Sequence, residues 1–149
     1  MNVRIGILSI LFFLIVPVVK ADVAPTEEQR ETASQKLTAA VDAAQSWLTI
    51  VDNGKYRDSW KQASQYFKDK VPEDQWESSL RQIRPPFGQM ISREVSNVQY
   101  TTYLPGAPVG EYAIIQFKTD FKDKHGSIET ITPMLEKDGT WRVSGYFIK

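Results

Sequence analysis

The chain has 149 residues, with 18 lysine and arginine side chains balanced by 18 aspartate and glutamate side chains, one histidine and no cysteine. The balance argues against the clustered basic face that a nucleic-acid partner requires. The missing cysteines exclude a disulfide framework, a thiol nucleophile and a cysteine-linked lipid anchor.

The first 21 residues have the pattern of a secretory signal peptide. Arg4 supplies a positive charge, an apolar run covers Ile5–Val19, and small or β-branched residues occupy the −3 and −1 positions of a cleavage site after Ala21. The alternative is an uncleaved anchor, but the run is shorter than the roughly 20 residues that cross a bilayer. The sequence predicts an exported protein, periplasmic or secreted, with one domain over residues 22–149 and no membrane span after cleavage.

Three helices are predicted in the first half of that domain. Thr26 begins the first as a capping box with Gln29, and Asn53-Gly54 ends it. The second runs from about Asp58 to Lys68, and the third begins near Pro72. The apolar residues that recur at helical spacing are Leu37, Val41, Ala44, Leu48 and Val51, then Trp60, Ala63 and Phe67, then Trp76, Leu80 and Ile83.

Four strands are predicted in the second half, where the apolar period becomes alternating. They cover Ile91–Tyr103, Glu111–Phe121, Ser127–Glu136 and Thr140–Ile148. The proline- and glycine-rich segment Leu104–Gly110 between the first two is predicted to be a rigid hairpin corner, with a binding loop as the alternative. Helices followed by a meander of strands predict an α+β fold, with three N-terminal helices packed on a curved four-stranded antiparallel sheet.

The last hairpin makes a register prediction. Asp138-Gly139 indicates a two-residue turn with both residues at positive φ, which pairs Thr132 with Gly145. Pro133 predicts a bulge or a local break. The same register pairs Glu136 with Trp141 and Met134 with Val143. Uninterrupted alternation then assigns Trp141, Val143, Phe147, Met134 and Ile128 to the face against the helices, and Arg142, Ser144, Tyr146, Glu129, Ile131 and Leu135 to the other face.

Four segments resemble, in order, the blocks of the bacterial domain of unknown function family 4019. They are "AAQSWLTIVDNGKYRDSW", "WESSLRQIRPPFGQMISR", "YTTYLPGAPVGEYAIIQFKTDF" and "ETITPMLEKDGTWRVSGYFIK", within Ala39–Lys149. The resemblance implies a cone like that of nuclear transport factor two and the cystatin-like folds, where a curved sheet wraps a long helix. It implies no activity, because such cones host enzymes, carriers and interaction modules.

The residue types offer little for catalysis. His125 is the only histidine and lies in a predicted turn, where solvation is expected. One histidine and no cysteine do not make a zinc site, and no glycine pattern matches a phosphate-binding loop. Glu73, Asp74 and Glu77 are explained by the positive end of a helix. We therefore predict no catalytic residue, no metal and no cofactor.

Two functions are compatible with these patterns. The favoured one is a non-catalytic periplasmic module that binds a small ligand or an envelope protein through a cone cavity or the open sheet face, with a homodimer as one arrangement. Arginine forks suit carboxylates and phosphates, although surface ion pairs explain them as well. The candidate binding residues are Arg84, Tyr112, Glu129, Arg142 and Tyr146.

The alternative is a cone-fold acid–base enzyme of the dehydratase or isomerase type. Such an enzyme needs a buried acid or histidine in its cavity. On the predicted helix-facing side of the last two strands the only acid is Glu136, at the hairpin end, and the other polar groups are Thr130 and Thr132.

Export has a direct test. N-terminal sequencing of the protein recovered from the periplasm should begin at Asp22, because cleavage follows Ala21. A chain that starts at Met1 in a membrane fraction would contradict the signal-peptide prediction.

Overall fold

A computed structural model describes residues 24–149. It has four helices, then a 3-10 turn at Pro85–Phe87, then four strands. The helices are α1 (Glu27–Asp52), α2 (Tyr56–Gln62), α3 (Gln65–Lys70) and α4 (Glu73–Ile83), and the strands are β1 (Met90–Thr101), β2 (Tyr112–Phe121), β3 (Ser127–Leu135) and β4 (Trp141–Ile148). The predicted α+β class is confirmed. The predicted leader lies outside the described residues.

Helix α1 begins and ends as its sequence predicts. Thr26 accepts a bond from the Gln29 backbone N–H, and the Gln29 side chain accepts one from the Thr26 N–H, which is a complete capping box. At the other end Gly54 has a φ of 70°. The buried stripe is Ala40, Ala44, Trp47, Leu48 and Val51. Because Leu37 is the first residue of α1 that packs against the core, the first two turns of the helix extend beyond it.

The second predicted helix is two helices, so the prediction of three is wrong by one. Ala63 is extended, with φ −71° and ψ 166°. The Ser64 hydroxyl then caps α3 by accepting a bond from the Phe67 N–H at 3.1 Å. The Ser64 N–H donates to the carbonyl of Val143 on β4 at 2.8 Å. The interruption therefore attaches the α2–α3 corner to β4.

The sheet is an antiparallel meander in the order β1-β2-β3-β4, with the helices packed on one face. Strands β1 and β4 form its two edges. The core between the helices and the sheet contains Trp47, Leu48, Val51, Phe67, Trp76, Leu80, Ala113, Ile115, Phe117, Ile131, Trp141 and Val143. Three tryptophans are therefore packing residues, since they lie in this core.

The β3–β4 turn is one residue longer than predicted. Gly139 has a φ of 79°, but Asp138 does not have a positive φ. The Gly139 N–H donates to the Glu136 carbonyl at 2.9 Å, and the Glu136 N–H donates to the Thr140 carbonyl at 3.0 Å. This is a three-residue hairpin loop that ends on a left-handed glycine. As a result Leu135, rather than Glu136, pairs with Trp141.

The bulge predicted at Pro133 is confirmed. Thr132 pairs with Gly145, as predicted, whereas Pro133 pairs with Val143. Ser144 is therefore an extra residue on β4, and its hydroxyl donates to the Thr132 carbonyl at 2.7 Å. The longer turn and the bulge shift the register by one residue in opposite directions, which is why the Thr132 pair is correct.

The longer turn reverses the predicted faces of β3, and the bulge reverses the predicted face of β4 beyond Ser144. Beyond Ser144, Tyr146 turns toward the helices and stacks on Trp47 with ring centroids 5.6 Å apart, while Phe147 is 60% exposed. The residues that β3 turns toward the helices are Ser127, Glu129, Ile131, Pro133 and Leu135. The prediction that Phe147, Met134 and Ile128 face the helices is therefore wrong.

Candidate functional site

Four charged side chains meet between the helices and the sheet. Asp52 ends α1, Arg84 follows α4, Arg93 lies on β1, and Glu129 lies on β3. We call these four residues the buried charge cluster. Its two positive and two negative charges balance, and the Glu129 side chain is 0% exposed.

The geometry of the cluster is that of close, charge-assisted bonds. Arg93 donates through Nη1 and Nη2 to both Asp52 oxygens at 2.7 and 3.1 Å, and through Nε to Glu129 Oε2 at 2.8 Å. Arg84 donates through Nη2 to Asp52 Oδ1 at 2.7 Å. Two-point arginine–carboxylate contacts of this kind fix orientation as well as charge.

Two hydroxyls complete the bonding of Glu129. Thr119 on β2 donates to Oε2 at 2.7 Å, and Tyr146 on β4 donates to Oε1 at 2.9 Å. Burial raises the pKa of Tyr146 well above its usual range, and the negative charge of Glu129 adds to the effect. The phenol therefore stays protonated and acts as a donor. Both Glu129 oxygens are occupied by groups of the protein.

An acid on the helix-facing side of β3 corrects the prediction that Glu136 is the only one there. Glu129 faces inward because it shares the β3 alternation with Ile131, and the bulge at Ser144 brings Tyr146 to the same side. Asp52 was not predicted. It stands four residues after Leu48, so it continues the apolar stripe of α1, and this spacing is the signal that could have identified it.

Arg84 is the least satisfied member of the cluster. Its Nε and Nη1 are buried and have no hydrogen-bond acceptor within residues 24–149. The guanidinium instead lies 4.5 Å from the ring centroid of Phe121 and 5.9 Å from that of Phe87. Cation–π packing of this kind stabilises an arginine that has few acceptors.

Three of the five predicted binding residues, Arg84, Glu129 and Tyr146, are brought together here, and the other two are elsewhere. Tyr112 is buried and donates from its hydroxyl to the Pro108 carbonyl at 2.6 Å. Arg142 pairs with Glu136 at 3.0 Å and with Asp138 at 2.9 Å. Its guanidinium lowers the pKa of Asp138 to about 2.

The segment Leu104–Gly110 joins β1 to β2 and is held at two points. Besides the Tyr112 bond, the Tyr66 hydroxyl donates to the Gly106 carbonyl at 2.8 Å. Gly106 has a φ of 79°, whereas Gly110 is not left-handed. The predicted corner is thus a fixed turn, and Val109 in it is 90% exposed.

A cleft opens where the first turns of α1 pass the end of β1. We call it the α1–β1 cleft. Its volume is about 410 Å³, and its lining residues are Glu28, Gln29, Thr32, Ala33, Lys36, Leu37 and Tyr100. At its rim Glu111 accepts from Lys36 Nζ at 2.7 Å and from the Tyr100 hydroxyl at 3.0 Å. The bond from Lys36 lowers the pKa of Glu111.

Strand β1 has an open edge beside this cleft. Within residues 24–149 it pairs only with β2. Irregularities interrupt it between Met90 and Ser92 and between Val95 and Asn97, which leaves Asn97–Thr101 as a regular stretch. The Leu135 N–H on β3 donates to the Glu111 carbonyl at 2.9 Å, so alternate β2 residues counted from Glu111 bond to β3, and the residues between them, including Ile114, bond to β1. Ile114 pairs with Gln99, so the backbone groups of Gln99 face β2. By strand alternation those of Val98 and Tyr100 turn outward.

Three further features bear on function in the part of the chain that the structure describes: the histidine, metal ligands and membrane-spanning helices. The His125 side chain is 73% exposed, with Nδ1 3.7 Å from Asp120. Residues 24–149 contain no group of three or more acidic or histidine side chains that could hold a metal ion. None of the helices in that range is long and apolar enough to cross a membrane.

The Tyr146–Glu129 contact should make the stability of the protein depend on pH in the alkaline range. Because the folded protein raises the pKa of Tyr146, its contribution to stability is complete below the unfolded value of about 10 and is lost as the pH rises above it. The free energy of unfolding should therefore fall less between about pH 8 and about pH 11 in Tyr146→Phe than in the wild type. Urea denaturation at the two pH values measures this difference.

Exposed Tyr103 is the matched control, since Tyr103→Phe should keep the full alkaline loss. Tyr100 and Tyr112, whose pKa values burial also raises, are present in all three proteins and contribute equally. The same alkaline loss in the wild type and in Tyr146→Phe would show that Tyr146 is not the buried donor to Glu129.

Comparison with known proteins gives one match. Residues 43–146 match the family described as "Protein of unknown function (DUF4019)". Searches of curated proteins and of solved structures found no match. The matched range covers more than half of the chain and contains the whole buried charge cluster. The chain therefore belongs to the DUF4019 family.

Proposed function

We propose that this protein is an exported, non-catalytic binding module that captures an extended segment of a partner protein as an added strand on the edge of β1. The observation that carries the proposal is the regular stretch Asn97–Thr101, which has no second neighbour within residues 24–149 and lies beside the α1–β1 cleft. An open edge offers unpaired N–H and C=O groups, and a neighbouring groove receives alternate side chains.

Exposed apolar side chains favour this edge over other surfaces. Of the seven large apolar side chains that are exposed within residues 24–149, three lie on β1: Ile91 at 61%, Val95 at 42% and Tyr100 at 43%. Two more, Tyr103 and Val109, lie in the segment that follows β1. At the opposite edge, the Ser64 N–H already bonds to β4. An incoming strand therefore has its best apolar contacts at β1.

The hydrogen bonds of Glu129 support the proposal that the module is non-catalytic. It is the acid that an acid–base mechanism would use, but its two oxygens accept three bonds from Arg93, Thr119 and Tyr146. A general base needs an oxygen within reach of the proton that it removes. A fully buried carboxylate with occupied oxygens is better explained as a structural group.

The alternative is a dehydratase or isomerase that uses Glu129 and Tyr146. The 2.9 Å contact between the carboxylate and the phenol is the observation that favours it. That mechanism would require the cluster to open, because the Glu129 side chain is 0% exposed and the lining of the α1–β1 cleft does not include it.

Strand addition can be tested with a display library of random linear peptides selected against the full exported chain. Selected peptides should bind Val98→Pro about tenfold more weakly than the wild type, because proline removes an outward donor and its ring obstructs the incoming strand. Val98→Ala is the matched control and should bind normally. Isothermal titration measures the affinities, and thermal denaturation checks that both variants fold.

The peptide gives a second readout that leaves the protein unchanged. Methylating the backbone nitrogens of a selected peptide one at a time should weaken binding at every second position, since only alternate N–H groups of a strand face the same neighbour. Methylation effects without this period, or full binding to Val98→Pro, would overturn strand addition at β1.

A further inference from the structure

The α1–β1 cleft has an apolar interior. Ala33 and Leu37 line it from α1, and the ring of Tyr100 lines it from β1. Its volume is about 410 Å³. A protein cavity of about 150 Å³ already holds a benzene molecule, so the cleft has room for a large side chain.

Most polar groups of the lining are already bonded within the protein. Lys36 and Tyr100 both bond to Glu111. The Thr32 hydroxyl donates to the Glu28 carbonyl at 2.9 Å, and the Gln29 side-chain oxygen accepts from the Thr26 N–H at 2.9 Å. A polar ligand group in the cleft would lose water without gaining these partners, and the cleft therefore favours an apolar one.

The remaining polar group of note is the carboxylate of Glu28. Within residues 24–149 no ion pair includes it, whereas its neighbour Glu27 bonds to Arg30 at 2.7 Å. Glu28 lies in the first turn of α1, at one end of the lining. A positive side chain of a bound segment would therefore find an acceptor at that end.

We propose that the α1–β1 cleft selects partner segments that carry a large apolar side chain two positions away from a lysine or arginine. The inference rests on the proposed strand addition at β1. Alternate side chains of a strand point to the same face, so residues two positions apart would both face the cleft. The apolar side chain fills the space between Leu37 and Tyr100, and the basic one reaches Glu28.

Synthetic host peptides of alternating threonine and valine provide the probe. One carries a central phenylalanine with a lysine two positions away, a second has alanine for the phenylalanine, and a third has glutamate for the lysine. The phenylalanine peptide should bind the full exported chain about tenfold or more tightly than the alanine peptide, because burying an aromatic side chain contributes roughly 1.5–3 kcal/mol.

Two pairs of variants test the cleft from the protein side. Ala33→Phe fills the cleft and should abolish the preference for phenylalanine, whereas Ala39→Phe, at an exposed position of the same helix, should keep it. Glu28→Lys should reverse the preference between the lysine and glutamate peptides. Asp42→Lys makes the same charge change at another exposed site of α1 and should not.

The outcomes separate this inference from the strand addition on which it rests. If all three peptides bind equally and all lose affinity to Val98→Pro, strand addition stands and the selectivity of the cleft is refuted. If the phenylalanine preference persists but Val98→Pro binds normally, strand addition is refuted. If none of the peptides binds the wild type, both proposals are wrong.

Discussion

The bond between Arg93 and Glu129 connects parts of the molecule that the sheet alone does not join. Arg93 lies on β1 and Glu129 on β3, with β2 between them. Through Asp52, Thr119 and Tyr146 the same network also reaches α1, β2 and β4. Every layer of the fold therefore contributes to one neutral cluster. Removing one of these charges would be costly, because a charge left buried without its partner destabilises a protein by about 3–5 kcal/mol.

The buried charge cluster lies apart from the surface that we assign to binding. The cluster lies where α1 ends, at Asp52. The α1–β1 cleft lies along the opposite end of the same helix, beside Tyr100. A rigid interior keeps α1 and β1 at a constant separation there, and a preformed groove costs less ordering entropy on binding. The buried charges thus support the proposed function without contacting a partner.

Local patterns predicted most of the fold. Capping residues, helical spacing and alternation identified α1, α4 and all four strands, because each depends on neighbours in the chain. The predicted face of β4 was wrong only beyond Ser144, because alternation does not count inserted residues and Ser144 is one. The cluster was only partly predictable, since the Arg93–Glu129 bond joins residues 36 positions apart. Arg84, Glu129 and Tyr146 were candidates from their chemistry, but nothing local places Asp52 beside them.

A double-mutant cycle on Arg93 and Glu129, measured by chemical denaturation, tests the central claim most directly. Arg93→Met and Glu129→Leu should each lower the free energy of unfolding by about 3–5 kcal/mol, since each leaves an unbalanced buried charge. The double variant removes one charge of each sign and leaves the Asp52–Arg84 pair intact. Its loss should therefore be smaller than the sum of the single losses by about 2 kcal/mol or more. Additive losses would contradict the account, because the two charges would then not depend on each other.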